Sequence, residues 1–108
     1  MMNSNEQEAI QQFARAVRKS LGDQLVALKL FRSKARGDDT PESDIDILVE
    51  VEKATAAVED AVLDIAFDVN LAHDVYISPR MIERAVFEDP VWSATPFIRS
   101  LEREGVRL

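Results

Sequence analysis

The sequence predicts one α/β (α+β) domain, in which a short mixed sheet of three or four strands carries helices mainly on one face. Apolar residues recur at helical spacing in two segments, and continuous or alternating apolar runs typical of strands lie between them. No repeat, linker or low-complexity segment divides the chain. At 108 residues we expect a single domain, 1–108, with one core.

The N-terminal segment predicts a helix over about residues 5 to 21. It opens with the capping-box pattern Ser4-x-x-Gln7, and Gly22 stands where helices usually stop. Its apolar stripe consists of Ile10, Phe13, Ala14, Val17 and Leu21. The run 25–31, broken only by a lysine, then predicts a strand inside a sheet.

A second strand is predicted over 44–51, and it carries carboxylates where strands disfavour them. Because side chains alternate between faces, its residues divide into two sets. One face would hold Ile45, Ile47, Val49 and Val51, and the other Asp44, Asp46, Leu48 and Glu50. A second amphipathic helix follows over about 54–71.

The C-terminal third predicts one strand and two helices. The strand spans 73–78, with Asp74 on the face opposite its valine and isoleucine. Ser78-Pro79 and Thr95-Pro96 each pair an N-cap residue with proline at the first helical position. They predict helices over about 79–87 and 96–104. The aromatic residues of this region, Phe87, Trp92 and Phe97, are predicted to close the core.

Three carboxylates point to phosphate chemistry. Asp44 and Asp46 would project from one face of a strand, about 6.5 to 7 Å apart along the chain. Asp74 would join them if the two strands are neighbours. Carboxylate oxygens suit Mg²⁺, and a pair of such ions can hold the attacking and leaving oxygens of a phosphoryl displacement. A Ca²⁺-binding EF-hand is excluded, because no register of 38–50 has both the glycine and the glutamate that it needs.

Charge and composition limit the classes of ligand that the protein can bind. The formal net charge of −7 argues against a long nucleic acid as direct ligand, since such binding depends on Lys and Arg. A nucleotide that arrives with its own Mg²⁺ escapes this objection. The chain has no cysteine, no apolar run near the ~20 residues of a membrane span, and a polar, acidic start unlike a secretory signal. We therefore expect a soluble cytoplasmic protein that does not bind membranes.

The stretch from residue 30 to residue 49 resembles the signature of the DNA polymerase β-like nucleotidyltransferase superfamily. The family pattern is Gly-Ser-x-Ala-Arg-Gly followed by Ser-Asp-x-Asp. The matching residues here are Arg32-Ser33-Lys34-Ala35-Arg36-Gly37 and Ser43-Asp44-Ile45-Asp46. The chain is most similar to the minimal nucleotidyltransferases, the antitoxin partners of HEPN-domain proteins. The resemblance implies a palm-like fold and ATP, or another nucleoside triphosphate, as substrate.

The resemblance also implies residue roles. Asp44 and Asp46 would ligate two Mg²⁺ ions, and Asp74 would complete the catalytic metal and help the acceptor hydroxyl lose its proton. Ser33 and the amides after it would hold the β- and γ-phosphates. Lys34 and Arg36 either contact phosphate or are solvated turn residues. Transfer of AMP to a hydroxyl of a HEPN-type partner protein, with release of pyrophosphate, is the function implied.

One position departs from the family pattern, because Arg32 stands where the family has glycine. Its guanidinium could fold onto the triphosphate, or its side chain could fill the pocket and weaken transfer. Two alternatives to catalysis therefore stay open. One is a weakened or inactive module that neutralises a HEPN-type partner by binding, and the other is a nucleotide sensor. The sequence leaves homo-oligomerisation open.

Overall fold

The computed structural model describes residues 4–32 and 45–108. A short 3-10 turn, Gly22–Gln24, joins the first helix to the first strand. The helices and strands are α1 Ser4–Leu21, β1 Leu25–Arg32, β2 Ile45–Val51, α2 Ala56–His73, β3 Ile77–Glu83, α3 Arg84–Glu88, α4 Pro90–Ser93, α5 Pro96–Glu104 and β4 Val106–Arg107. None of the described helices combines the length and the apolar character needed to cross a bilayer.

The four strands form one mixed sheet in the order β3-β2-β1-β4. Strand β1 pairs antiparallel with both β2 and β4, whereas β2 and β3 run parallel. A parallel pair needs a long crossover connection, and α2 supplies it. The predicted mixed sheet with helices is thus confirmed.

The core lies between the sheet and the two long helices. Helix α1 contributes an apolar stripe centred on Phe13 and Val17, and α2 contributes Val62, Ala66 and Val69. These side chains pack against what we call the helix face of β2. It consists of Ile45, Ile47, Val49 and Val51. The helical periods and the strand alternation read from the sequence account for this layer.

The predicted strand over 73–78 and the predicted helix over 79–87 are both wrong in position. Helix α2 continues through His73, and β3 occupies Ile77–Glu83, so that Pro79 lies in a strand. Proline is tolerated there because β3 is an edge strand. The main-chain groups of Ile77 bond to Asn70 and hence face away from β2. The nitrogen of Pro79, two residues on, faces the same way, and no ladder bond is lost.

The side chain of Asn70 occupies the outer edge of β3. Its Oδ1 accepts from the Ile77 N–H at 2.8 Å, and its Nδ2 donates to the Ile77 C=O at 3.2 Å. One amide thus makes the two bonds that a further strand would make at this residue. Asn70 therefore ties α2 to β3 and blocks part of an edge that could otherwise pair with another chain.

Helix α2 ends in a left-handed cap at Asp74, whose φ is 53° and ψ 52°. The Asp74 N–H donates to the Asn70 C=O, as in common C-terminal helix caps. The preceding residue, His73, binds α1: its Nδ1 lies 3.2 Å from Asn5 Oδ1 and its Nε2 lies 2.8 Å from Gln12 Oε1. These contacts fix the end of α2 against the first helix.

The C-terminal helices only partly follow prediction. Helix α5, Pro96–Glu104, matches the predicted 96–104, and the Thr95 Oγ1 accepts from the Ile98 N–H at 3.4 Å. The prediction that the aromatics close the core is wrong for Trp92 and Phe97, which are 55% and 56% exposed. They line a cavity of about 470 Å³ together with Met81 and other apolar side chains.

Candidate functional site

The candidate site lies at the edge of the sheet where β1 ends and β2 and β3 begin. Arg32, the last residue of β1, is the register partner of Ile45, the first residue of β2. On the other side the Ile45 N–H donates to the Tyr76 C=O at 2.8 Å, just before β3 starts. The end of β1 and the start of β2 therefore both lie next to Asp46.

Asp46 projects from the sheet face opposite the helix face, which we call the carboxylate face. In β2 this face consists of Asp46, Leu48 and Glu50. The register places Phe31 of β1 and Ser78 of β3 beside Asp46, each one strand spacing away, about 4.8 Å. The Asp46 side chain is 21% exposed, so part of it faces solvent.

The next row of the carboxylate face is basic. Leu48 is flanked by Lys29 on β1 and Arg80 on β3, and Arg107 of β4 pairs with Lys29. Arg80 reaches back to the first row, where its Nε lies 3.8 Å from Asp46 Oδ1. Its side chain is 64% exposed, so water screens this ion pair and its contribution to folding stability is small. Arg80 thus places a cation beside the carboxylate without being important for folding stability.

Glu50 lies in the third row of the same face. Burial raises the pKa of its carboxyl above the ordinary 4.5, although Lys29, Arg84 and Arg107 act in the opposite direction. The desolvated position disfavours the charged form, and the neighbouring cations only partly offset this. The carboxylate face therefore alternates acidic, basic and acidic rows from the site edge inward.

Most of the predicted phosphate-binding residues lie outside the described residues. This applies to Ser33, Lys34 and Arg36, and also to the first carboxylate, Asp44. Arg32 is described as the end of β1. Of the predicted site residues, the structure therefore places Asp46, Asp74 and the main chain of Arg32.

Asp74 does not sit in a strand as the sequence predicts, because α2 extends two residues beyond the predicted end at 71. It is exposed, at the left-handed cap that ends α2. It precedes by two residues Tyr76, whose main chain touches the start of β2. Its role as third carboxylate stays a prediction.

Sequence reasoning missed two residues of the site, Ser78 and Arg80. Ser78-Pro79 has the form of a helix start, and this local signal hides the strand that places Ser78 beside Asp46. A period-two pattern across 77–83 is too weak to reveal Arg80, since beyond the buried Ile77 neither face of β3 is fully buried. Only the parallel pairing with β2 assigns the two residues to the carboxylate face.

The donor chemistry of this edge fits Mg²⁺. Asp46 offers an accessible, hard carboxylate oxygen, and its placement on a paired strand fixes its direction. Within residues 4–32 and 45–108 no group of three or more His, Asp or Glu side chains could hold an ion. A metal site at Asp46 would therefore need ligands from beyond the described residues, where the predicted partner Asp44 lies.

Comparison with known proteins gives consistent matches. The family model described as nucleotidyltransferase domain matches residues 10–107. Two proteins of Methanocaldococcus jannaschii are similar along nearly their whole length. "Putative protein adenylyltransferase MJ0141" is 33% identical over 102 residues, which cover 94% of this chain and 96% of that protein. "Putative protein adenylyltransferase MJ0604" is 34% identical over 103 residues, which cover 94% and 95%.

Proposed function

Because the chain belongs to the nucleotidyltransferase-domain family and is therefore a nucleotidyltransferase-like enzyme, we propose that it transfers AMP from ATP to a hydroxyl of a partner protein. The single observation that carries the proposal is the position of Asp46. It stands at the head of a central strand, open to solvent, beside a cation and at the edge where the Ser33-to-Asp44 segment joins the sheet. The acceptor is proposed to be a HEPN-type protein in an antitoxin-like pair that acts in the cytoplasm.

The proposed reaction is an in-line displacement at the α-phosphate. The acceptor oxygen forms a bond to the α-phosphorus, the bond from that phosphorus to the bridging oxygen breaks, and pyrophosphate leaves. Two Mg²⁺ ions, held by Asp44, Asp46 and Asp74, would neutralise charge on the phosphates. Asp74 would help the acceptor hydroxyl lose its proton. Ser33, with Lys34, Arg36 and Arg32, would hold the β- and γ-phosphates.

Arg80 adds a contact that the sequence does not predict. Its guanidinium lies 3.8 Å from Asp46 and is mostly exposed, so it can turn from the carboxylate to a bound phosphate without unfolding any element. Guanidinium groups bind phosphate oxygens through paired N–H donors. We assign Arg80 to the triphosphate, with Asp46 as its partner when no nucleotide is bound.

The decisive experiment incubates the protein with α-labelled ATP, Mg²⁺ and the product of the neighbouring gene. The expected result is label on the partner, lost with Asp46→Asn and with removal of Mg²⁺. Asp74→Asn tests the third carboxylate cleanly, because asparagine also accepts the left-handed conformation of the α2 cap. Label transfer should fall with unchanged melting temperature, whereas unchanged transfer would remove Asp74 from the site.

The alternative is binding without transfer, and Arg32 is the residue that favours it. Under that alternative the protein neutralises its partner by occlusion, which Asp46→Asn leaves intact, or it senses nucleotide without transfer. Arg32→Gly distinguishes the two roles of the arginine. A side chain that fills the pocket predicts tighter ATP binding in this variant, and a side chain that contacts phosphate predicts weaker binding. Analytical ultracentrifugation of the protein alone and with its partner determines whether the chain self-associates.

A further inference from the structure

Helix α2 exposes a row of large apolar side chains on the side away from the core. Leu63, Phe67 and Leu71 are 52%, 64% and 70% exposed. They are spaced four residues apart, so they form one stripe about 12 Å long on the helix surface. The opposite side of the same helix, with Val62, Ala66 and Val69, is already buried in the core. We call the three exposed residues the apolar stripe.

An acidic column runs beside the apolar stripe. Asp60, Asp64 and Asp68 each stand three residues before a member of the stripe, which makes them its neighbours on the helix surface. All three are exposed, and another exposed acid, Glu59, lies four residues before Leu63, in the row of the apolar stripe itself. The 18 residues of α2 contain no lysine or arginine, so nothing on this helix balances the column.

The charge of the column discriminates between occupants. A second copy of this chain would bring an identical acidic column and another net charge of −7 to the interface. An anionic membrane surface would repel the aspartates that border the apolar contact. A partner whose apolar residues are bordered by lysine or arginine can cover the apolar stripe and pair its cations with the acidic column.

We propose that the apolar stripe and acidic column of α2 form a docking surface for an amphipathic helix of a partner protein, with basic residues along one border of its apolar face. Helix-in-groove and helix-on-helix recognition uses apolar anchors at this spacing. The surface lies behind the helix face of β2, on the opposite side of the sheet from Asp46. A docked helix therefore leaves the carboxylate face free, and the proposal does not depend on the transfer reaction.

The test uses the full chain and two synthetic helical peptides with the same leucine stripe, one bordered by lysine and the other by glutamate. Fluorescence polarisation should show micromolar binding of the lysine peptide, weakened by added salt, and at least tenfold weaker binding of the glutamate peptide, about the effect of a few charge contacts. Phe67→Ala should weaken the binding of the lysine peptide at least about fivefold, as expected for a central apolar anchor. Asp64→Asn with Asp68→Asn should reduce the preference between the peptides.

Val91→Ala is the matched control, since Val91 is 75% exposed but lies on α4. Alanine favours helix, so Phe67→Ala should keep the fold, which circular dichroism verifies. The proposal is overturned if neither peptide binds, if both bind equally, or if Val91→Ala and Phe67→Ala have the same effect. It is also overturned if ultracentrifugation shows a dimer that Phe67→Ala dissolves, or if vesicles of phosphatidylglycerol bind through Phe67.

Discussion

The two faces of β2 are built from adjacent residues and do different work. On the helix face Ile47, Val49 and Val51 are fully buried, at 0% exposure. On the carboxylate face the Asp46 side chain keeps 21% of its surface exposed, and Glu50 is half-buried. The helix face is packed entirely with apolar side chains, while the carboxylate face combines a buried Leu48 with two partly exposed acidic side chains. The same seven residues of β2 thus hold the core together and present the site.

Of the substitutions considered, replacing Asp46 should have the largest effect on nucleotidyl transfer and a smaller effect on folding stability. We expect Asp46→Asn to lower nucleotidyl transfer by about a thousandfold, comparable to removal of a principal electrostatic group. The melting temperature should change less than for a core substitution, because asparagine keeps the size and polarity of the side chain and water screens the ion pair with Arg80. Transfer assays and thermal melts on the same preparation check this, and a variant that loses both would place Asp46 in the structural core instead.

Replacing the neighbouring Ile47 should have the opposite profile. Ile47→Ala removes a fully buried side chain from the centre of the sheet and should lower the free energy of unfolding by about 2–5 kcal/mol. Urea titration measures the loss. At temperatures where the variant is still folded, its rate of transfer should stay within about twofold of the parent, since the cavity opens on the helix face. A large loss of transfer in a folded variant would show that the two faces are coupled.

Arg80 sharpens the comparison within the carboxylate face. We expect Arg80→Gln to raise the KM for ATP about tenfold with a smaller change in kcat, as for loss of one charged contact to phosphate. Arg84→Gln is the control, because Arg84 is bound to Glu52 and Glu88 at 3.1 Å each. If Arg80→Gln instead lowers the Mg²⁺ concentration needed for activity and leaves the KM for ATP unchanged, Arg80 only competes with the metal for Asp46.

Glu50 should give the smallest effect, and a pH dependence identifies it. Its raised pKa means that the folded protein binds this proton more tightly than the unfolded chain does. Its contribution favours folding below the ordinary pKa of 4.5 and is lost as the pH rises through that value to the raised one. Glu50→Gln should therefore raise the melting temperature at pH 7 by about 2 °C, and by less near pH 4. An equal gain at both pH values would exclude charge as the cause.

Strand alternation and helical periodicity predicted the layer that holds the fold. The stripe of α1, the face of Ile47 and Val49, and Asp46 near the head of β2 follow from local patterns of two or about 3.6 residues. The resemblance to nucleotidyltransferases, taken from the same stretch, is confirmed by the family match. These features are readable because each depends only on residues close together in the sequence.

The errors concentrate around β3, where local signals compete with pairing. Ser78-Pro79 predicts a helix start, and Pro79 argues against a strand, yet an edge position removes the objection to proline. Because the strand lies at 77–83 and not at the predicted 73–78, Asp74 is outside the sheet, and Ser78 and Arg80 are strand residues that the prediction assigned elsewhere. Which residues of β3 face Asp46 depends on a register with a strand more than thirty residues away, which no local pattern specifies.

By itself the sequence determined the helices α1 and α2, the two faces of β2 and the family, because covalent neighbours set the period of each element. Tertiary structure alone decided that Asp74 caps a helix, that Arg80 reaches Asp46, and that Leu63, Phe67 and Leu71 stay outside the core. The helical period read from the sequence identifies the side of α2 with Val62, Ala66 and Val69 as the buried one, but only the packing decides that the second apolar side stays exposed. That choice follows from how the crossover docks on the sheet, where the free energy of burial is shared among residues distant in the chain.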